Sequence, residues 1–172
     1  LFNMRFLIIF IFFVTTTLAN SETNIKNLVI NKELKKFNDL TFLDAENNKV
    51  NLDNYRGKLI LINFWATWCA PCKEEMPSLD LLQNNKKLES LKIFPINVGQ
   101  DKIEKAEKFF EDLEIKNLKI YFDNSINLTK KFALRGIPTS ILINKEGEEF
   151  ARIIGSVNFN DDKFIDWLSS YD

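Results

Sequence analysis

Leu59-Ile60-Leu61-Ile62-Asn63-Phe64-Trp65-Ala66-Thr67-Trp68-Cys69-Ala70-Pro71-Cys72-Lys73-Glu74-Glu75-Met76-Pro77 decides the fold, because two structural signals meet in it at a pair of cysteines. The continuous apolar run Leu59–Trp65 reads as a strand buried on both faces. From Pro71 to about Leu88 the spacing turns helical, with Met76, Leu79, Leu82 and Leu88 near one stripe. A Cys-x-x-Cys pair where a buried strand becomes a helix reads as a redox motif.

Position gives the motif its chemistry. The first turn of a helix has unpaired backbone N–H groups and a partial positive charge. A thiolate at Cys69 is stabilised there, so its pKa is expected below the free value of roughly 8.5. Cys72 lies one turn on along the same face, better shielded but within reach of the Cys69 sulfur. Pro71 suits the first turn, where a missing N–H costs nothing. The expected reaction is attack by Cys69 on a substrate disulfide, then release of the reduced substrate by Cys72. Resolution moves protons. Glu75, three residues after Cys72, is the candidate carboxylate shuttle, against the plainer reading of a first-turn dipole partner. Glu74 points about 100° away and is expected in solvent. Pro77 lies inside the helix and is expected to kink it. Trp65 reads as core. For Trp68 a substrate-facing aromatic surface and ordinary packing both stand.

Composition removes other chemistries. The chain has two Cys and no His, so neither a Ser-His-Asp nor a Cys-His catalytic pair exists. A tetrahedral zinc site lacks ligands. No metal and no cofactor are expected beyond the redox-active Cys69–Cys72 disulfide. Cysteines three positions apart close only a tiny loop, which makes a poor structural staple. With 23 basic and 24 acidic residues, the balance gives no reason to expect nucleic acid or an acidic membrane surface as partner. Mixed charges such as those over Lys102–Lys108 read as a solvated helix face. Nothing in the sequence demands a dimer, and a monomer is expected.

Outward from the motif the chain divides into three parts. Residues 1–19 carry Arg5, an unbroken apolar run Phe6–Val14, and small residues at Thr17 and Ala19. These are the parts of a secretory signal, and the run is short of the ~20 residues a spanning helix needs. Cleavage is expected, with retention as an anchor or a plain buried core segment as the alternatives. Residues 20–36, polar apart from Leu28-Val29-Ile30, read as a loosely docked linker. Residues 37–172 read as one domain. A hairpin over Phe37–Leu52 turns at Asp44–Asn48. Beyond the motif follow a strand at Leu91–Val98, a helix at Ile103–Leu113, a strand at Leu118–Phe122, a short helix at Leu128–Phe132, strands at Thr139–Ile143 and Phe150–Ile154 around a turn at Asn144–Gly147, and a final helix carrying Phe164, Ile165, Trp167 and Leu168. This order predicts an α/β domain with a mixed central sheet and helices on both faces.

Four features together resemble the thioredoxin superfamily, and more narrowly its exported TlpA/ResA-like thiol-disulfide oxidoreductases. They are Leu52-Asp53-Asn54-Tyr55-Arg56-Gly57-Lys58; Asn63 to Cys72 with Glu75-Met76-Pro77 behind it; Arg135-Gly136-Ile137-Pro138-Thr139; and Ile141 to Gly147. The likeness spans about residues 37–170, and the hairpin at 37–52 is an N-terminal addition to bare thioredoxin. The resemblance implies a thioredoxin-like fold and a cis peptide at Ile137–Pro138 beside the cysteines, where backbone pairs with an incoming substrate chain. Trp68, Ala70, Pro71, Ile137 and Pro138 are then the substrate-contacting positions. Asn63 stands where a cytoplasmic thioredoxin has a buried Asp, which shifts the proton duty toward Glu75. Asn144 replaces a usual aspartate.

The implied activity is thiol-disulfide exchange on exported protein clients, most simply as a dithiol reductase recharged by a membrane thiol-electron donor, for example in cytochrome c maturation. A periplasmic or otherwise extracytoplasmic location follows, soluble after cleavage or tethered by the N-terminal segment. The alternatives are a disulfide oxidase or isomerase, and a non-catalytic Cu(I)-binding module.

Overall fold

The computed structural model describes residues 24–172; the signal or anchor expected over 1–19 lies outside the described residues. Eight strands form one mixed sheet in the order β1-β8-β7-β4-β5-β6-β2-β3. At its centre β4 (Ile60–Trp65), buried at all six positions, pairs parallel with β5 (Lys92–Asn97) and antiparallel with β7 (Thr139–Ile143). The two-residue period of a strand divides its side chains between two cores. Leu61 and Trp65 join the cluster built with α1 (Ala70–Gln83), α2 (Ile103–Asp112) and α4 (Asp162–Ser169). Ile60, Ile62 and Phe64 join the other, beneath α3 (Asn127–Lys131) and a 3-10 turn at Leu52–Tyr55. Helices therefore cover both faces. Trp65 is fully buried and stacks on Phe109 with ring centroids 4.8 Å apart.

The expected hairpin is β2 (Thr41–Asp44) with β3 (Lys49–Asn51), closed by Asp44, whose carboxylate accepts from the amides of Glu46 and Asn48 at 3.0 and 2.7 Å. It extends the sheet beyond β6 (Tyr121–Phe122). Sequence spacing predicts a longer strand there, from Leu118. The structure gives that stretch a different anchor: the buried Asp80 carboxylate of α1 accepts from the amides of Lys116, Asn117 and Leu118 at 3.2, 2.7 and 3.0 Å.

The linker reading of residues 20–36 is corrected from residue 28 onward. Leu28–Lys36 is β1, an edge strand antiparallel to β8 (Glu148–Ile154), with Leu28 opposite Ile153 and Lys36 opposite Glu148. Asn31 adds side-chain bonds to the backbone carbonyl and carboxylate of Glu149 at 3.2 and 3.1 Å. Most of this strand is exposed, so no buried face imposes an alternation on its sequence, and its lysines suit an unpaired edge.

Helix α1 continues through Pro77 and ends at Gln83, short of Leu88. The Gln83 side chain donates to the Leu91 carbonyl at 3.1 Å and accepts from the Ile93 amide at 2.9 Å, stitching the helix end to the start of β5. No helix among the described residues is long and apolar enough to cross a membrane.

Candidate active site

Strand β4 ends at Trp65, and the chain turns through Ala66–Trp68 into α1. Cys69 is the N-cap of that helix, in extended conformation, and its sulfur accepts the Cys72 N–H at 3.3 Å. The free amides of the first turn are thus aimed at this sulfur. Cys69 and Cys72 are joined in a disulfide, with Cα atoms 5.3 Å apart. Cys69 keeps 5% of its surface and Cys72 none, so an incoming sulfur meets Cys69 first. Ala70 and Pro71 between them are exposed.

The other wall comes from β7. Because β7 runs antiparallel to β4 with Thr139 opposite Phe64, its first residues lie beside the end of β4 where the cysteines begin. The Ile137–Pro138 bond is cis; Ile137 is half-buried and Pro138 buried. Trp68 stands 66% exposed at the same end of the sheet.

Glu75 is one turn beyond Cys72 and only 3% exposed. Its Oε1 accepts from the side-chain amide of Asn63 at 2.7 Å, and its Oε2 from the Val157 backbone amide at 3.2 Å. Burial pushes its pKa up to about 7 from an ordinary 4.5, with the Asn63 and Val157 bonds opposing that rise. A carboxyl poised there can hold or give up a proton near neutral pH. The same Asn63 nitrogen donates to Ser140 Oγ at 3.0 Å, while the buried Asn63 Oδ1 has no partner. A groove of about 580 Å³ borders Glu75 on the side of Lys26, Ser78, Val157 and Asp161.

A second carboxylate steadies the turn before the cysteines. Asp101, in the loop after β5, accepts from the amide and hydroxyl of Thr67 at 2.9 and 2.7 Å, from Asn97 Nδ2 at 2.9 Å and from Lys105 at 3.0 Å. Burial alone would raise its pKa, but these bonds outweigh it and hold the group at about 2. Gly99 sits against this turn: a Cβ there would lie 2.6 Å from Ala66 Cβ and 3.0 Å from Trp68 Nε1.

The structure thus gathers Cys69, Cys72, Trp68, Ala70, Pro71 and the Ile137–Pro138 bond at one end of the sheet, with Glu75 behind Cys72. Sequence reasoning missed Ser140, Val157, Thr67 and Asp101. Val157 contributes only its backbone and leaves no side-chain signal; Asp101 was readable only as a polar residue ending a strand. Among the described residues no three of Cys, Asp and Glu are grouped to hold a metal ion.

Comparison with known proteins agrees with this geometry. The model of a protein family described as Redoxin matches residues 31–163. The thiol-disulfide oxidoreductase ResA of Geobacillus kaustophilus (strain HTA426) is 33% identical over 123 residues, 72% of this chain and 70% of the relative. Among solved structures, StoA from Bacillus subtilis superposes with a TM-score of 0.61 at 24% identity, covering 77% of this chain and 94% of that one. A secreted thiol-disulfide isomerase from Corynebacterium glutamicum gives 0.70 at 19% identity, covering 84% and 93%.

Proposed function

The chain belongs to the redoxin family and is a thiol-disulfide oxidoreductase, and from that premise we propose that it works outside the cytoplasm as a dithiol reductase of protein disulfides. The observation that carries the reading is the Cys69–Cys72 pair at the mouth of α1, with its outer sulfur capping the helix and a buried carboxyl of near-neutral pKa one helical turn beyond its inner cysteine.

In the reduced protein the Cys69 thiolate attacks one sulfur of a client disulfide. The client S–S bond breaks, its second sulfur leaves and takes up a proton, and a mixed disulfide remains on Cys69. Cys72 gives its proton to Glu75 and attacks Cys69 Sγ. The intermolecular bond breaks, the client's remaining sulfur leaves and is protonated, and the Cys69–Cys72 disulfide forms. Two electrons have passed to the client, and a dithiol donor at the membrane restores the pair by the reverse exchange. Trp68 and the backbone before Pro138 supply the surface on which the client chain lies. The exposure of Trp68, and the position of Pro138 immediately before β7, support that assignment.

The extracytoplasmic location rests on the apolar N-terminal run of the sequence and on the likeness to a secreted thiol-disulfide isomerase. Haem-attachment cysteines of an apocytochrome c are the client class that the ResA-like resemblance favours.

Trapping tests both parts. Cys72→Ser should halt the reaction at the mixed disulfide on Cys69, and mass spectrometry of the adduct identifies the client. Equilibration with a thiol redox buffer gives the potential. A value near that of a strong oxidant, about −120 mV, overturns the reductase reading in favour of disulfide formation.

A further inference from the structure

Glu75 receives its second hydrogen bond from the backbone of Val157, so the aim of that N–H depends on what holds the loop after β8. Its far side is anchored to α1 by the Phe159 N–H, which donates to Ser78 Oγ at 3.0 Å, and three bonds hold its near side. Gly155 N–H donates to the Pro138 carbonyl at 2.9 Å, and Ile154 N–H to the Asn27 carbonyl at 3.0 Å. The Asn27 side-chain amide donates to the Ser156 carbonyl at 3.0 Å, across 129 positions of sequence. The Ser156 carbonyl and the Val157 N–H belong to the same peptide group, which is planar. Its oxygen is tied to Asn27 and its N–H to Glu75 Oε2. Asn27 itself sits at φ 63, a left-handed conformation that Asn tolerates and Gly adopts freely. Gly155, at φ +98, leaves room for it, since a Cβ there would stand 3.1 Å from Asn27 Nδ2.

We propose that Asn27 is a positioning residue for Glu75: by fixing the Ser156–Val157 peptide plane at its oxygen, it points the opposite end of that plane at the carboxylate. The proposal rests on the reading of Glu75 as the proton acceptor for Cys72. It makes the segment preceding β1 part of the active-site machinery. The groups around Glu75 are Cys72 and Glu74 on α1, Lys26 before β1, and Asp161 and Lys163 at the start of α4, with the non-titrating Asn63 and Ser140 on β4 and β7. Of these, only Lys26 adjoins Asn27 in the chain.

The test is the pH profile of disulfide exchange in four variants of the full chain, together with hydrogen exchange at the Val157 amide. Asn27→Gly keeps the backbone conformation and removes the donor. Gly155→Ala crowds the same bond from the other side but also strains the backbone at φ +98, so its shift counts only together with that of Asn27→Gly. Asn31→Ala removes a different β1–β8 tie and serves as control, and Glu75→Gln tests the underlying reading. Asn27→Gly, and Gly155→Ala with it, should move the lower limb of the profile upward by about half a unit or more, since a carboxylate that loses a hydrogen bond binds its proton more tightly. Val157 exchange should accelerate, while Asn31→Ala leaves both in place. Should Glu75→Gln abolish the limb while Asn27→Gly and Gly155→Ala leave it unmoved, the inference fails and the role of Glu75 stands. Equal shifts in the Asn27 and Asn31 variants would mean general loosening and also overturn it. A limb that survives Glu75→Gln overturns the reading of Glu75 itself.

Discussion

Asn63 reaches from the central strand to the active-site helix and donates to Glu75 at 2.7 Å, with both side chains buried. The contact is a compromise. It favours the ionised carboxylate, yet burial holds the pKa at about 7, so the folded protein carries a carboxyl that ionises less readily than in the unfolded chain.

Stability should therefore depend on pH in a direction opposite to that of a salt-bridged carboxylate. Between 4.5 and about 7 the unfolded chain has released the Glu75 proton while the folded protein retains it. Fewer protons on the unfolded state mean stability falls as pH rises through this window. The cost is absent below the unfolded pKa and complete above the folded one, at roughly 3 kcal/mol by the linkage relation. Glu75→Gln should remove this slope and melt higher than the parent at pH 8, with little difference at pH 4. Urea unfolding at several pH values checks it; parallel curves for the two proteins refute it.

Asp101 carries the opposite sign. Its folded pKa lies below the ordinary 3.8 at about 2, so its contribution is present above the unfolded value and is lost as pH falls through the folded one. Asp101→Ala strands the Thr67 amide and hydroxyl and the Asn97 amide; a loss of about 2–4 kcal/mol is expected. Disulfide exchange should slow as well, because the turn leading to Cys69 loses its anchor. Chemical denaturation and a turnover assay report the two effects separately.

Gly99→Ala should cost about 1–3 kcal/mol through overpacking, since the new methyl would meet Ala66, Asp101 and Trp68 together. Ala66, at 2.6 Å, is the tightest contact, and the turn that carries Trp68 must shift with it. A changed emission from this exposed indole, compared with Trp68→Phe as blank, is the direct measurement.

Trp68→Ala should raise KM for a protein disulfide several-fold while leaving exchange with a small disulfide within about twofold, as expected where an exposed aromatic anchors a polypeptide. The two substrates assayed side by side decide it; equal losses on both would make Trp68 a support of the turn rather than a contact surface.

What the sequence disclosed was local. Cys72 follows Cys69 by three residues and Glu75 follows Cys72 by three, so helix geometry alone puts each neighbouring pair side by side. The strand Leu59–Trp65 announced itself because both its faces are buried. β1 did not, because an exposed edge strand obeys no burial pattern, and its pairing with β8 joins residues far apart in the chain. The end of α1 was misplaced because the leucines carry the apolar pattern on to Leu88, whereas the helix stops at Gln83, whose side chain binds Leu91 and Ile93. The surroundings of Glu75 were only half legible: Asn63 came into view through the family resemblance, as the position of a usual buried Asp, whereas a backbone amide such as that of Val157 has no letter of its own.

The groove beside Glu75 opens between the segment before β1 and the start of α4, and neither Cys69, Trp68 nor Pro138 is among the residues that line it. A polypeptide lying over Cys69 would leave this groove uncovered, and in the proposed mechanism Glu75 would keep a contact with water on the side away from its client.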